Sequence, residues 1–535
     1  MSKLLGRSIR IAEAYLQTAV IVDDQAQLGD AVVPPTTLKT PDRRTVGAMT
    51  AAEGEVIAAE IVHNLNVKPL VDAFAEKGIV CGVIAPEPGA SIVEMTTRAA
   101  DRSDIVILDW QINRDEGRTA LAIISQLMTK DRGERLRTIA IYTGEKTLTD
   151  IGQKIVDALK AIGKTPVEDE WKVILKVGHT RISVYAKSGT DLPAHLKARS
   201  VSEAELPRST IADFASIANG LVPSIALTAL AALRTNASRI LDKYHAGLDA
   251  PYLAHRACLP HPDDASRHIA AAIAAEAGCV MESAVHSVDP ASIDFAMDWV
   301  NDSFGASPEF VFQPDRKLDC DAIRGLFSVG FDKQKKINSL SNRDSQDMTR
   351  VISRDKNADD CLDLELAWVM SFRTVYDGSP PPVMRLGTVV RRRVTEGAQP
   401  LFLCLRPRCD CVRLSGVHQF HFLPLIDPPM DKNIQLSVRV APNTYRRFSV
   451  GIKPSEWLLA KFAPAVTGGA VTASRDGAAG ICYFATSDGP GTIYDWIGEL
   501  KPEFAQRIAN QFATLMSRVA VNNSEWLRRQ ENLAD

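Results

Sequence analysis

The chain has 535 residues, 45% hydrophobic and 24% charged, with a formal net charge of -3 and a pI near 6.4. That length is too great for one hydrophobic core and calls for roughly two to four domains. The balanced charge excludes a globally basic nucleic-acid binder, and the nine cysteines spread over such a length form no disulfide framework, which fits a reducing compartment.

The N-terminal stretch "MSKLLGRSIRIAEAYLQ" has basic residues but no sustained apolar segment or cleavage site of a secretory signal. The first strand lies in "TAVIVDDQAQL", where the run Ala19 to Val22 suits a strand buried on both faces. It ends in Asp23 and Asp24, adjacent carboxylates that are costly to desolvate without a cation beside them. A polar stretch, "GDAVVPPTTLKTPDRRTVG", reads as an exposed loop. In "VKPLVDAFAEKG", Leu70, Val71, Phe74 and Ala75 stand at helical spacing and Gly78 is placed as a C-cap. Strand "IVCGVIAP" and helix "IVEMTTRAADRS" follow, then strand "DIVILDW" ending in Asp109. Helix "GRTALAIISQLMTK" leads to strand "LRTIAIYTGE", ending in Thr143. Helix "LTDIGQKIVDALKAIG" precedes the strands "EWKVILKV" and "RISVYAKSG", the latter ending in Lys187.

Such alternation predicts a parallel sheet with right-handed crossovers, whose strand ends converge on one edge. Strand ends are also simply where polar residues begin, so the argument rests on the ordered set Asp23, Asp24, Asp109, Thr143 and Lys187. Mg²⁺ takes one or two carboxylates and keeps several waters. Asp24 and Asp109 suit it as direct ligands, with Asp23 acting through water and the backbone carbonyl of Gln111 completing the set. Asp109 then serves as an in-line nucleophile towards phosphorus, Lys187 neutralises phosphoryl oxygens, and the Thr143 hydroxyl donates to another.

"VDD", "ILDW", "YTG" and "AKSG" at the ends of these strands resemble the receiver domain of two-component response regulators. The resemblance spans about residues 15 to 195 and implies a phosphorelay in which a sensor histidine kinase feeds Asp109. Several positions depart from the family pattern. The interval from Asp24 to the second strand is long, and the one from Thr143 to Lys187 has room for an extra strand. Ser188 stands where the family has proline. Val184 replaces the aromatic switch residue, with Tyr185 beside it, and Gln111 and Glu145 occupy places that in the family tune phosphoryl lifetime.

From about Ser202 the chain turns Ala-rich and helical, with Ser209 expected as an N-cap and Pro223 expected to open a second helix. No stretch is expected to reach membrane-span length, because the best candidate, the apolar run Ile225 to Leu233, stops at Arg234, and the Ala/Leu stripes are expected to be helix-packing faces. His268 is expected to be structural or exposed. A Pro-rich segment from Pro380 leads to the run Arg391 to Arg393, read as a solvated face. Strand signals return in "PLFLCLRPRCDCVRL", "HQFHFLPLI", "NIQLSVRVA" and "YRRFSVGI", and "KPEFAQRIANQFATLMSRVAV" closes as a helix. Cys404, Cys409, Cys411, His418 and His421 lack paired metal-ligand spacing and are expected to be packing residues without metal, and no base can be assigned to Cys409 as a nucleophile.

The expected architecture is α/β: a doubly wound parallel-sheet receiver (flavodoxin-like) domain over 1–195, a mainly helical region over 196–378, and a C-terminal α+β domain over 379–535. The enlarged receiver, "LFLCLRPRCDCVRL" and the tail "EFAQRIANQFATLMSRVAVNNSEWLRR" resemble variant response-receiver proteins of bacterial defence loci, including the regulator of Detocs-type anti-phage systems. That resemblance implies a sensor kinase partner, a separate effector and a role as phosphoryl sink. The expected protein is a cytoplasmic phosphoacceptor with Mg²⁺ as cofactor. It acts as a regulator, is not an enzyme on other substrates, and binds neither membrane nor nucleic acid. A homodimer stays open. The competing functions are a receiver-like scaffold that never takes phosphate and a Mg²⁺-dependent phosphohydrolase, the latter disfavoured because Gln111 stands where such enzymes carry an acid.

Overall fold

The computed structural model describes residues 2–27, 65–86, 91–130, 134–287, 292–305, 308–313, 316–353, 361–374, 380–429, 435–465, 469–476, 481–487 and 491–517. They form two compact units, Met1–Glu309 with Leu318–Asn338, and Phe310–Lys317 with Ser339–Asp535. The loop expected over Gly29 to Gly47 and the end of the C-terminal tail lie outside the described residues. The helical region expected over 196–378 is divided between the two units.

The first unit opens with a helix that the sequence reading did not anticipate, α1 (Lys3–Tyr15), capped by the Ser2 side chain accepting from the Leu5 N–H at 3.1 Å. Then come β1 (Thr18–Val22), α2 (Val67–Glu76), β2 (Val80–Ile84), α3 (Ile92–Ala100) and β3 (Ile105–Asp109). They are followed by α4 (Arg118–Lys130), β4 (Arg137–Thr143) and α5 (Leu148–Ala161). Short strand β5 (Val167–Glu168), β6 (Ile174–Val177) and β7 (Thr180–Lys187) extend the sheet in the order β2-β1-β3-β4-β7-β6-β5, and the two-residue strand Ser200–Val201 pairs parallel with β7 as the sheet's eighth strand. The first five are parallel; β6 and β5 are antiparallel additions at the β7 edge and account for the long interval before Lys187.

Alternation along β3 splits the core between the two faces of the sheet. Val106 and Leu108 pack with Ile123, Ile124 and Ile155 beneath α3, α4 and α5. Ile105 and Ile107 pack with Leu4, Phe74, Tyr142, Tyr185 and Phe214 on the other face. Each such side chain removed from water contributes roughly 1.5–3 kcal/mol, which ties β3 to both layers.

The second face is covered by α1, α2 and α6 (Leu206–Ile217). Ser209 does not cap α6. The helix starts earlier, after Glu205, because the Glu205 carboxylate accepts from the Ser202 hydroxyl at 2.8 Å and the Ser202 N–H at 3.2 Å, and Pro207 sits where no helical N–H partner is needed. Pro223 likewise lies inside the first turn of α7 (Leu221–Lys243), which opens after Gly220 at φ +151°. The unit continues with α8 (Asp249–Cys258), α9 (Asp264–Ser287), α10 (Ile293–Phe304), α11 (Cys320–Val329) and α12 (Phe331–Ile337). Segment Asp264–His286 corrects the expectation that no stretch reaches span length: its mean hydropathy reaches 1.3, and none of that apolar window is buried. The helix runs unbroken through an alanine-rich stretch interrupted by few charges, so length compensates for small side chains. His268, on α9, is exposed, with its Nδ1 3.0 Å from Nε2 of His255.

In the second unit, α13 (Cys361–Ser371) leads to nine strands: β8 (Thr388–Arg392), β9 (Leu401–Cys404), β10 (His418–Ile426), β11 (Gln435–Ala441), β12 (Thr444–Val450), β13 (Leu458–Phe462), β14 (Ser474–Arg475), β15 (Cys482–Ala485) and β16 (Ile493–Glu499). The sheet is antiparallel in the order β11-β12-β10-β9-β8-β16-β15-β14, with β13 on β10, and α14 (Pro502–Met516) follows β16. β8, which takes in Arg391 and Arg392 of the run expected as a solvated face, and β13, β14, β15 and β16 add to the strands read from sequence. Cys404 and Cys411 are buried and Cys409 is exposed. Burial pushes the Cys411 thiol up to about 12 and raises Cys404 as well.

Candidate functional site

Parallel register brings the carboxyl ends of β1, β3, β4 and β7 side by side: Val22 lies opposite Leu108, Asp109 opposite Tyr142, and Thr143 opposite Ala186. The next residue of each strand or its last one is therefore Asp23, Asp109, Thr143 or Lys187, and all four are buried. The Lys187 Nζ stands 3.1 Å from Asp109 Oδ1 and 3.5 Å from Asp23 Oδ2. It also lies over the Tyr142 ring, 5.9 Å from its centroid.

Each carboxylate is steered by a backbone N–H two residues on. Gln25 donates to Asp23 Oδ1 at 2.7 Å, and Gln111 donates to Asp109 Oδ2 at 2.7 Å. The Thr143 Oγ1 accepts from the Glu145 N–H at 3.1 Å, which leaves its own proton for donation. Gln111 and Glu145 meet directly, Nε2 to Oε1 at 2.8 Å, across the mouth of the site.

One ammonium faces two buried carboxylates. Burial pushes the Asp23 carboxyl up to about 6, opposed by Lys187 and reinforced by the charge of Asp109. Burial also raises Asp109, opposed by Lys187 and by the Gln111 N–H. The site is therefore short of positive charge, and an oxygen-ligand cation such as Mg²⁺ suits that donor set. Asp24 is turned aside: its Oδ2 accepts from the Asn113 N–H at 3.0 Å. The Gln111 carbonyl accepts from the Arg114 N–H at 2.7 Å, so one of its lone pairs is engaged. Among the described residues no three His, Cys, Asp or Glu side chains are gathered closely enough to hold one ion.

Two tyrosines that the sequence reading did not assign connect these strand ends to the chain beyond them. The Tyr142 hydroxyl donates to the Val201 carbonyl at 2.9 Å, next to Thr143 in sequence. The Tyr185 hydroxyl donates to Asp213 Oδ2 of α6 at 2.5 Å, while Arg181 Nε donates to Oδ1 at 3.0 Å and Arg199 covers the Tyr185 ring. Alternation would have placed both tyrosines on the α6 face, but Asp213 as the buried partner of Tyr185 has no local sequence signal. Val184, where the resemblance leads one to expect an aromatic switch residue, packs in the opposite core.

Residues 15–192 match the family model of the response receiver domain. No curated protein and no solved structure matches the chain.

Proposed function

We propose that this receiver-domain protein is the response regulator of a two-component, phosphorelay-type system, accepting a phosphoryl group on Asp109 from a sensor histidine kinase. The observation that carries the reading is the buried trio in which Lys187 Nζ lies within 3.5 Å of both Asp109 and Asp23 at adjacent strand ends. An Asp109 oxygen attacks the phosphorus of the donor phosphohistidine; the O–P bond forms as the P–N bond breaks, and the imidazole nitrogen leaves with the electron pair. Lys187 faces the phosphoryl oxygens with its charge, and the Thr143 hydroxyl, already held by the Glu145 N–H, donates to one of them. The Gln111 N–H keeps the carboxylate aimed, its second oxygen remaining as acceptor. Asp109, the Gln111 carbonyl and, once released from the Asn113 N–H, Asp24 would hold Mg²⁺, with Asp23 acting through water. When bound, the ion supplies the positive charge that lets an anionic phosphoryl group approach a carboxylate.

In this reading the output runs through the tyrosine contacts to Val201 and Asp213, with the alternative that the chain acts as a phosphoryl sink for a separate effector in anti-phage defence. The domain division at about residues 195 and 378 and a cytoplasmic location belong to the same proposal. Recovery of the full chain in the membrane fraction through α9 would overturn the location.

The test is labelling with acetyl phosphate and Mg²⁺, and then with the kinase encoded beside it. Label should map to Asp109, disappear in Asp109→Asn and fall sharply in Asp24→Asn. Label on another residue, or full labelling of Asp109→Asn, would remove the assignment. A labelled protein whose hydrogen exchange in α6 is unchanged would leave the sink and discard the conformational output.

A further inference from the structure

The second unit gathers three arginines from separate segments onto one carboxylate. Arg385, in the turn before β8, grips Glu499 at the end of β16 with a two-point fork, Nε to Oε1 at 2.9 Å and Nη2 to Oε2 at 2.9 Å. Arg408, in the short 3-10 turn after β9, donates from Nη2 to Oε1 at 3.0 Å. Arg373, just after α13, donates from Nη1 to the same oxygen at 3.4 Å.

One fork suffices to neutralise Glu499, so the other two guanidinium groups are in excess of structural need. Their spatial order is also informative. The Glu499 side chain is 11% exposed, whereas those of Arg385, Arg408 and Arg373 are 31%, 35% and 47% exposed, so the carboxylate forms a floor and the guanidinium groups form the rim. Burial, then Arg385, lowers the Arg408 guanidinium; Arg373 adds to the repulsion, while Glu499 and Glu503 oppose it. Three cations thus face two carboxylates. The nearby Lys501 ammonium is turned away, donating to the Val369 carbonyl at 3.0 Å.

The rim is held rigidly. Gly387 has φ +94°, and a Cβ built there would lie 2.9 Å from the Ala505 Cβ, so the Arg385 turn sits tightly on the first turn of α14. The Leu500 N–H donates to the Gly387 carbonyl at 2.9 Å, and the Gly387 N–H to the Cys404 carbonyl at 3.0 Å. The α14 N-terminus, opening at Pro502, adds its positive end. Among the described residues Arg385 Nη1, Arg408 Nε and Nη1, and Arg373 Nε and Nη2 have no acceptor.

We propose that this rim is a binding site for the phosphate group of a small soluble phosphate monoester, with Glu499 as the positioning residue that aims the three arginines. A carboxylate ligand fills one fork, whereas a phosphate monoester offers three terminal oxygens and up to two negative charges, which fits several guanidinium edges around one point. The site is independent of the receiver chemistry.

The test is calorimetric titration of the full chain with phenyl phosphate and with inorganic phosphate, in Asp109→Asn background and with chelator present, which silences the receiver site. Binding at or below about 1 mM is expected, weakened at least about fivefold, roughly 1 kcal/mol, by Arg373→Ala and by Arg408→Ala. The exposed control Arg446→Ala should bind as the parent does. Glu499→Gln puts an amide donor where Arg385 grips one of the two carboxylate oxygens, so the rim loses its aim and affinity should fall while the fold is retained. No binding by either phosphate, equal binding by Arg373→Ala and Arg408→Ala, or binding only of vesicles containing phosphatidic acid, would overturn the proposal.

Discussion

Replacing Asp23 by asparagine should stabilise the unliganded protein at neutral and alkaline pH. The Asp23 carboxyl is raised to about 6, chiefly by burial, about two pH units above an ordinary aspartate. A carboxyl raised on folding binds its proton more tightly in the folded chain, so its contribution favours folding at low pH and is lost as pH rises through about 6. At about 1.36 kcal/mol per pH unit the ionised group costs about 3 kcal/mol at pH 8. Asparagine keeps an oxygen for the Gln25 N–H, now 2.7 Å from Asp23 Oδ1, and carries no charge to desolvate. It forfeits the Lys187 contact at 3.5 Å, but the attraction of Lys187 is already included in that balance. A gain of about 1–3 kcal/mol at pH 8, shrinking to zero near pH 4, is the expected profile. The assay is denaturant titration read by hydrogen exchange in peptides covering β1 and β3, so that the first unit is followed separately from the second. Millimolar Mg²⁺ should stabilise the parent and do so less for Asp23→Asn. A variant that is no more stable at pH 8, with a parent profile flat between about pH 4 and 8, would refute the account of a charge-deficient site.

Tyr185→Phe removes the hydroxyl that donates to Asp213 at 2.5 Å and leaves a buried acceptor under-satisfied. A loss of about 1–3 kcal/mol is expected, together with faster exchange in α6, measured by mass spectrometry. In Gly152→Ala the added Cβ would meet the Lys172 carbonyl oxygen at 1.9 Å, a backbone contact without a flexible neighbour to yield. This variant should lose about 1–3 kcal/mol and free the β5–β6 hairpin, as seen by limited proteolysis. Thiol alkylation under native conditions should modify Cys409 well before Cys404 and Cys411, because the latter two are buried and held as thiols. Equal rates would contradict that packing.

The alternation of apolar runs with amphipathic segments carried most of the receiver fold, because a parallel sheet demands strands buried on both faces and crossovers of helical length. The same logic placed Asp23, Asp109, Thr143 and Lys187 at one edge before any distance was known. Even the extra strand β6 before Lys187 was legible as surplus chain length, although its short partner β5 was not. Other features depended on partners distant in sequence. Asp213 becomes the acceptor for Tyr185 only when α6 lies across β7. Arg373, Arg385 and Arg408 converge on Glu499 only when the antiparallel sheet sets β8 beside β16. Asp24 reads as an equal of Asp23 along the chain, yet the turn after β3 supplies the Asn113 N–H that draws its carboxylate aside. Local pattern reports which surfaces a segment must bury, since that follows from period and polarity within a few residues. Which charged groups then face each other depends on how buried surfaces from separate segments are stacked, and that is decided by the tertiary packing.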